Sequence, residues 1–138
     1  MRTTFAEGGC GCGAVRYTLL CPPTDVADCH CRMCQRYVGA ASVTWATFPA
    51  EALEGVRGGV TWVASSASAR RGFCAACGTS LFFAGNAGSS PVDVTVVSLD
   101  HPERCPPTAQ IWVASRQHWV ALLPGLPAHR DGGGDWAP

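Results

Sequence analysis

Residues 29–35 read CHCRMCQ, three cysteines and a histidine inside one short stretch. Whether this is a complete metal site, half of one or an open one decides how the rest of the chain is organised around it. If residues 28–30 are extended, side chains alternate, so Cys29 and Cys31 face one way and His30 the other. His30 is then a packing or supporting residue rather than a ligand. Cys34 regains the face of Cys29 and Cys31 once the chain turns, and RMCQRYVG (32–39) is the candidate helical turn near a cysteine.

Outward from this stretch, the chain holds nine cysteines, an odd number, with no secretory signal, which favours metal binding over a disulfide framework. Cys10 and Cys12 lie in GGCGCGAVRY (8–17), and Cys74 and Cys77 in GFCAACGTSLFF (72–83). Both are glycine-flanked turns entering a strand-like run, the knuckle geometry in which small residues let thiolates close round a metal. Two divisions account for the ligands. A zinc-ribbon pairing of Cys31 and Cys34 with Cys74 and Cys77 leaves Cys10, Cys12 and Cys29 over. Pairing the two turns, Cys10 and Cys12 with Cys74 and Cys77, gives a closed four-thiolate site and leaves Cys29, Cys31 and Cys34 as an open one, with nothing over. Cys21 and Cys105 stand alone beside prolines and read as small, partly buried side chains.

The remaining pattern is β. AVRYTLL (14–20), ASVTWATF (41–48), GVTWVAS (59–65), TSLFFAG (79–85) and VDVTVVSL (92–99) are short, rich in β-branched and aromatic residues, and bounded by turn formers. At 138 residues the chain reads as one zinc-binding domain, 1–138, with its core over about 5–129 and an irregular tail over 130–138, where three glycines follow two prolines. Trp45, Trp62, Trp112 and Trp119 lie in or near strands and are expected in the core.

Charge excludes some partners. Ten basic and ten acidic residues give a formal net charge of zero, without the basic stripe that nucleic acid needs. No apolar run is long enough for a membrane span, so the expected location is cytoplasmic.

The segments GGCGCGAVRY, CHCRMCQRYVG, RRGFCAACGTSLFF and SLDHPE, with IWVASRQHWV, resemble the glutathione-dependent formaldehyde-activating enzyme family, which also includes centromere protein V. The resemblance runs from about Phe5 to about His129. It implies a β-tent fold of short antiparallel strands organised round zinc knuckles, with little helix and two zinc ions per chain. It assigns Cys10, Cys12, Cys74 and Cys77 to a structural zinc, and Cys29, Cys31 and Cys34 to a second, open zinc that is the catalytic one. The activity it implies is that of a carbon–sulfur lyase, condensing formaldehyde with glutathione to S-hydroxymethylglutathione. Its partners are then a small thiol and an aldehyde. An open three-thiolate zinc suits this chemistry, because a thiol ionises far more readily than water over so electron-rich a metal. The residue stabilising the developing alkoxide is sought among Arg36, Arg70, Arg71 and Arg116, each also readable as a surface arginine. The alternative function is a non-catalytic zinc module binding a thiol ligand or a protein partner. Methionine sulfoxide reduction on a similar fold ranks below both, since it needs a reactive cysteine free of metal.

Overall fold

The computed structural model describes residues 3–132. It is mainly β, as expected. Among the described residues ten strands run β1 (Ala6–Gly9), β2 (Arg16–Leu19), β3 (Asp25–Cys29), β4 (Val43–Phe48), β5 (Leu53–Arg57), β6 (Val60–Ala64), β7 (Ala69–Cys74), β8 (Ser80–Gly85), β9 (Val92–Thr95) and β10 (Ala109–Ile111). One α-helix, α1 (Arg32–Val38), follows β3 and falls on the expected stretch. It ends at Gly39, whose φ of 72° lets its N–H return to the carbonyl of Gln35.

The strands form two sheets. A three-stranded sheet has the order β1-β2-β5, and a seven-stranded sheet the order β10-β3-β4-β9-β8-β7-β6. All neighbours are antiparallel except β10 and β3, which pair in parallel. Strand alternation gives the large sheet two different faces. One carries Val26, Ala46, Phe82, Val92 and Val94 into the main core, where they meet Val15, Tyr17 and Leu19 of the small sheet. The other carries Ala27, Cys29, Val43, Trp45 and Ile111, and is covered by α1 through Cys34 and Val38.

The sequence pattern over-reads one strand and under-reads another. VDVTVVSL is a strand only to Thr95, after which Val96–Ser98 form a 3-10 turn and Val97 points to solvent. ARRGFC (69–74) carries two adjacent arginines and a glycine, a poor strand signature, yet β7 lies between β6 and β8. Gly72 is what that position requires: its register neighbours Trp62 and Phe82 stack across it, ring centroids 5.7 Å apart, and a Cβ there would press on both rings at 3.2 Å.

The segment beyond Leu123 is irregular but tied down. Pro127 accepts from the Gln110 N–H, His129 donates to the Gln110 carbonyl, and the carbonyls of Arg130 and Asp131 accept from Ala114 and Trp112. The buried side chain of Gln110 bonds both the N–H and the carbonyl of Leu123. Residues 133–138 of the expected tail lie outside the described residues.

Candidate metal centres and cleft

The two knuckles are built alike. In the first, the Gly13 N–H bonds the Cys10 carbonyl at 3.2 Å; in the second, the Gly78 N–H bonds the Cys74 carbonyl at 2.8 Å. Each closing glycine has a φ of 82°, a left-handed conformation that a side chain would strain. Backbone amides point at sulfur: Val15 N–H donates to Cys10 Sγ at 3.2 Å and Cys77 N–H to Cys74 Sγ at 3.4 Å. The Val15 amide holds the Cys10 thiol below its ordinary pKa, and the Thr79 hydroxyl, 3.1 Å from Cys77 Sγ, pulls that thiol down to about 5. Thr79 also accepts from the Gly11 N–H at 3.0 Å, joining the two knuckles.

The outcome is a four-thiolate cluster. Ligand atoms of Cys10, Cys12, Cys74 and Cys77 all lie within 4.8 Å of one another. Cys10 and Cys12 are 3.6 Å apart and Cys12 and Cys74 3.9 Å. A tetrahedral ion with Zn–S bonds of about 2.3 Å sets neighbouring sulfurs about 3.8 Å apart, so this donor set fits zinc. The zinc-ribbon pairing is not what the fold brings together.

Cys29, Cys31 and Cys34 lie on the other side of the large sheet and line one cleft of about 360 Å³. Cys29 ends β3, Cys31 is the N-cap of α1, and Cys34 lies on its first turn. Cys29 Sγ and Cys34 Sγ are 3.8 Å apart, the same edge length. Cys31 shares the cleft wall, but among the described residues the three ligand atoms do not all come within 4.8 Å of one another. His30 behaves as alternation predicts. It is 1% exposed, its Nε2 lies 3.4 Å from Asp28 Oδ2 without hydrogen-bond geometry, and burial lowers its pKa, keeping the ring neutral.

Of the four candidate arginines, only Arg71 enters this site. Alternation along β7 sends Arg70 to the opposite face, over Trp62 at 4.2 Å. Arg36 and Arg116 are exposed, and Arg116 is turned back onto the Val120 carbonyl. Arg71 is 5% exposed, lies 4.7 Å over the Tyr37 ring and 4.8 Å over the Phe83 ring, and directs Nη1 and Nη2 onto Cys34 Sγ at 3.5 and 3.4 Å. The surface reading is therefore wrong for Arg71. A hydrogen bond from Cys29, then the charge of Arg71, lowers the Cys34 pKa, while that of Cys29 is raised by the bond it donates and by burial. The two opposite shifts favour the thiolate on Cys34 over one on Cys29.

The tryptophans separate. Trp62 packs on the main core, whereas Trp45 and Trp112 line the cleft and Trp119 is 68% exposed. Met33, Phe83 and Ile111 complete the apolar wall, and Ser65, Ser66 and Ser68 of the β6–β7 turn make a polar rim. Sequence reading did not single out Asp93, the carboxyl on the cleft wall, or Gln35, which is buried beneath α1. Gln35 Nε2 donates to the carbonyls of His30 at 2.7 Å and Ser115 at 3.2 Å, and its Oε1 accepts from Arg32 and Gln117. It fixes the helix that carries Cys34. Cys105 is buried, Cys21 packs on the core, and neither is in a disulfide.

The sequence model of the family described as glutathione-dependent formaldehyde-activating enzyme matches residues 5–115, which contain all seven clustered cysteines. This chain belongs to that family. Membership points to glutathione and formaldehyde as its small-molecule partners. A crystal structure of a Rhodobacter sphaeroides protein is similar to it in fold, with a TM-score of 0.56 at 23% identity, over 89% of this chain and 98% of that one. Among the described residues no helix is long and apolar enough to cross a membrane.

Proposed function

We propose that this member of the family is a zinc-dependent enzyme of the carbon–sulfur lyase type that adds a small thiol to an aldehyde and reverses that addition. Formaldehyde and glutathione giving S-hydroxymethylglutathione is the representative reaction. One observation carries the reading: three cysteines line a single cleft, and one of them, Cys34, is held by a buried arginine. Cys29, Cys31 and Cys34 are the residues that would hold a second zinc, making two per chain with the four-thiolate site. A zinc on three thiolates keeps a position for an exogenous ligand and favours the thiolate form of an incoming thiol.

The chain's own groups supply the rest. Arg71 offsets the negative charge gathered on Cys34, and its stacking between Tyr37 and Phe83 holds it there without a carboxylate partner that would compete. The apolar wall of Trp45, Phe83, Ile111 and Trp112 excludes water around the reacting carbon, which keeps a polarised aldehyde from being hydrated. The serines of the rim offer hydroxyls to the polar ends of a peptide-like thiol. Free cysteines throughout the chain agree with a reducing, cytoplasmic setting.

The test is NMR exchange spectroscopy of formaldehyde and glutathione with zinc-loaded protein. The expected result is interconversion faster than the uncatalysed background, abolished by Cys34→Ala. A protein that binds glutathione but leaves the exchange at background is a thiol-binding module instead.

A further inference from the structure

Thiol addition moves one proton: it leaves sulfur and must reach the aldehyde oxygen. Arg71 cannot carry it, because a guanidinium does not deprotonate in proteins and both Nη groups are held by Cys34 Sγ. The sheet supplies another group. Register aligns Asp25 on β3, Thr47 on β4, Asp93 on β9, Phe83 on β8 and Arg71 on β7 in one row across the large sheet. Asp93 and Arg71 are two strand spacings apart, about 10 Å between Cα atoms, close enough for their polar heads to frame a small ligand. Both line the cleft that the three cysteines line, and Asp93 is the carboxyl among those lining residues. Thr47 Oγ1 donates to Asp93 Oδ1 at 2.5 Å, which orients the carboxyl. On the same wall, Arg71 Nε is buried with no partner among the described residues, a donor left for an oxygen that the cleft receives.

Building on the reading of this cleft as a thiol–aldehyde addition site, we propose that Asp93 is its general acid–base, carrying the thiol proton from sulfur to the aldehyde oxygen. As the thiol enters, its S–H bond breaks and the Asp93 carboxylate takes the proton. The sulfur lone pair then forms the C–S bond while the C=O π pair moves onto oxygen. The resulting alkoxide takes the proton back from Asp93, giving the hydroxymethyl product and restoring the carboxylate. No electrons leave or enter, and the reverse sequence is the lyase direction. The groups facing Asp93 agree with this duty. Burial pushes its carboxyl up to about 7; the Thr47 hydroxyl opposes the rise, the negative charges of Cys34 and Asp25 add to it, and Arg71 opposes it.

The experiment measures glutathione–formaldehyde exchange across pH for zinc-loaded parent, Asp93→Asn and Thr47→Val, together with zinc content and glutathione affinity. Asp93→Asn is expected to lose about 10²–10⁴-fold in exchange rate, the range for general acid–base groups, with glutathione affinity within about twofold of the parent and zinc content equal to it. In the parent, the rate rises as pH rises through the Asp93 titration, since the carboxylate must take the thiol proton. Thr47→Val removes the bond that favours the carboxylate, so this acid limb moves to higher pH. If Asp93→Asn exchanges as fast as the parent, the assignment is overturned; if that variant does not fold, an acid limb left in place by Thr47→Val overturns it. The parent alone separates the two failures. A parent that neither binds glutathione nor speeds exchange sinks the addition reading and this one with it, whereas a parent and an Asp93→Asn variant that exchange equally sink only Asp93.

Discussion

Arg70 and Arg71 are neighbours in sequence with opposite fates, and strand alternation decides which meets the cysteines. Arg71 gives two N–H donors to Cys34 Sγ and packs against the Tyr37 and Phe83 rings, and both it and Cys34 are buried. Removing one member of a buried charged pair leaves the other uncompensated. Arg71→Met is therefore expected to lower stability by about 2–4 kcal/mol in thermal or urea melts. Arg71→Lys should recover only part of this, because a point charge lacks both the fork and the stacking face. Asp93 gives a pH test with the opposite sign to that of most carboxylates. Its folded pKa is raised from 3.8 to about 7, so between those values the folded chain holds a proton that the unfolded chain has released. The stability contributed by this group is complete below the unfolded value and is lost as pH rises through the folded one. Asparagine does not ionise, so Asp93→Asn should gain on the parent by about 1–3 kcal/mol between pH 5 and pH 8, allowing for the part of the carboxyl open to the cleft. Melting curves at the two pH values check it; a gap that shrinks with rising pH would contradict it. Asp93 was illegible for a plain reason. In VDVTV it looks like the polar residue of a half-exposed strand, and nothing local reveals that its outward face meets a cleft rather than solvent.

At the scale of elements, legibility followed locality. The knuckles could be read because a cysteine pair, a small-residue turn and a closing glycine lie within five residues of each other. Strands with β-branched alternation were readable too, and so was α1. The missed strands have other grounds for existing: β1 contains two glycines, β5 is mostly exposed, β7 carries charge, and β10 is three residues paired in parallel with β3 from far along the chain. Such strands are selected by tertiary pairing rather than by propensity. The four-thiolate cluster ties the turn between β1 and β2 to the turn between β7 and β8, and hence the small sheet to the large one. Zinc in such a site supplies roughly 10–16 kcal/mol of apparent binding free energy, comparable to or above the stability of a whole domain. Cys74→Ala should consequently unfold or insolubilise the protein, as seen by circular dichroism and soluble yield. A soluble Cys74→Ala protein melting within a few degrees of the parent would count against the cluster as a structural metal site.

On the scale of the whole molecule, the large sheet separates two duties. Its core face and the adjoining small sheet carry the four-cysteine cluster, and its other face carries the cleft, α1 and Cys29, Cys31 and Cys34. The family resemblance assigns the cysteines to two sets, and the sheet's two faces hold those sets apart. Cys31 offers the cleanest probe, since its backbone carbonyl still accepts the Gln35 N–H at 2.9 Å and caps α1 whatever its side chain. The most direct measurement is zinc per chain together with glutathione titration, on the parent and Cys31→Ala side by side. The account predicts about two zinc ions in the parent and about one in the variant, with nearly equal melting temperatures and glutathione bound by the parent alone. A Cys31→Ala variant that keeps both metals, or binds glutathione as tightly as the parent, would contradict it.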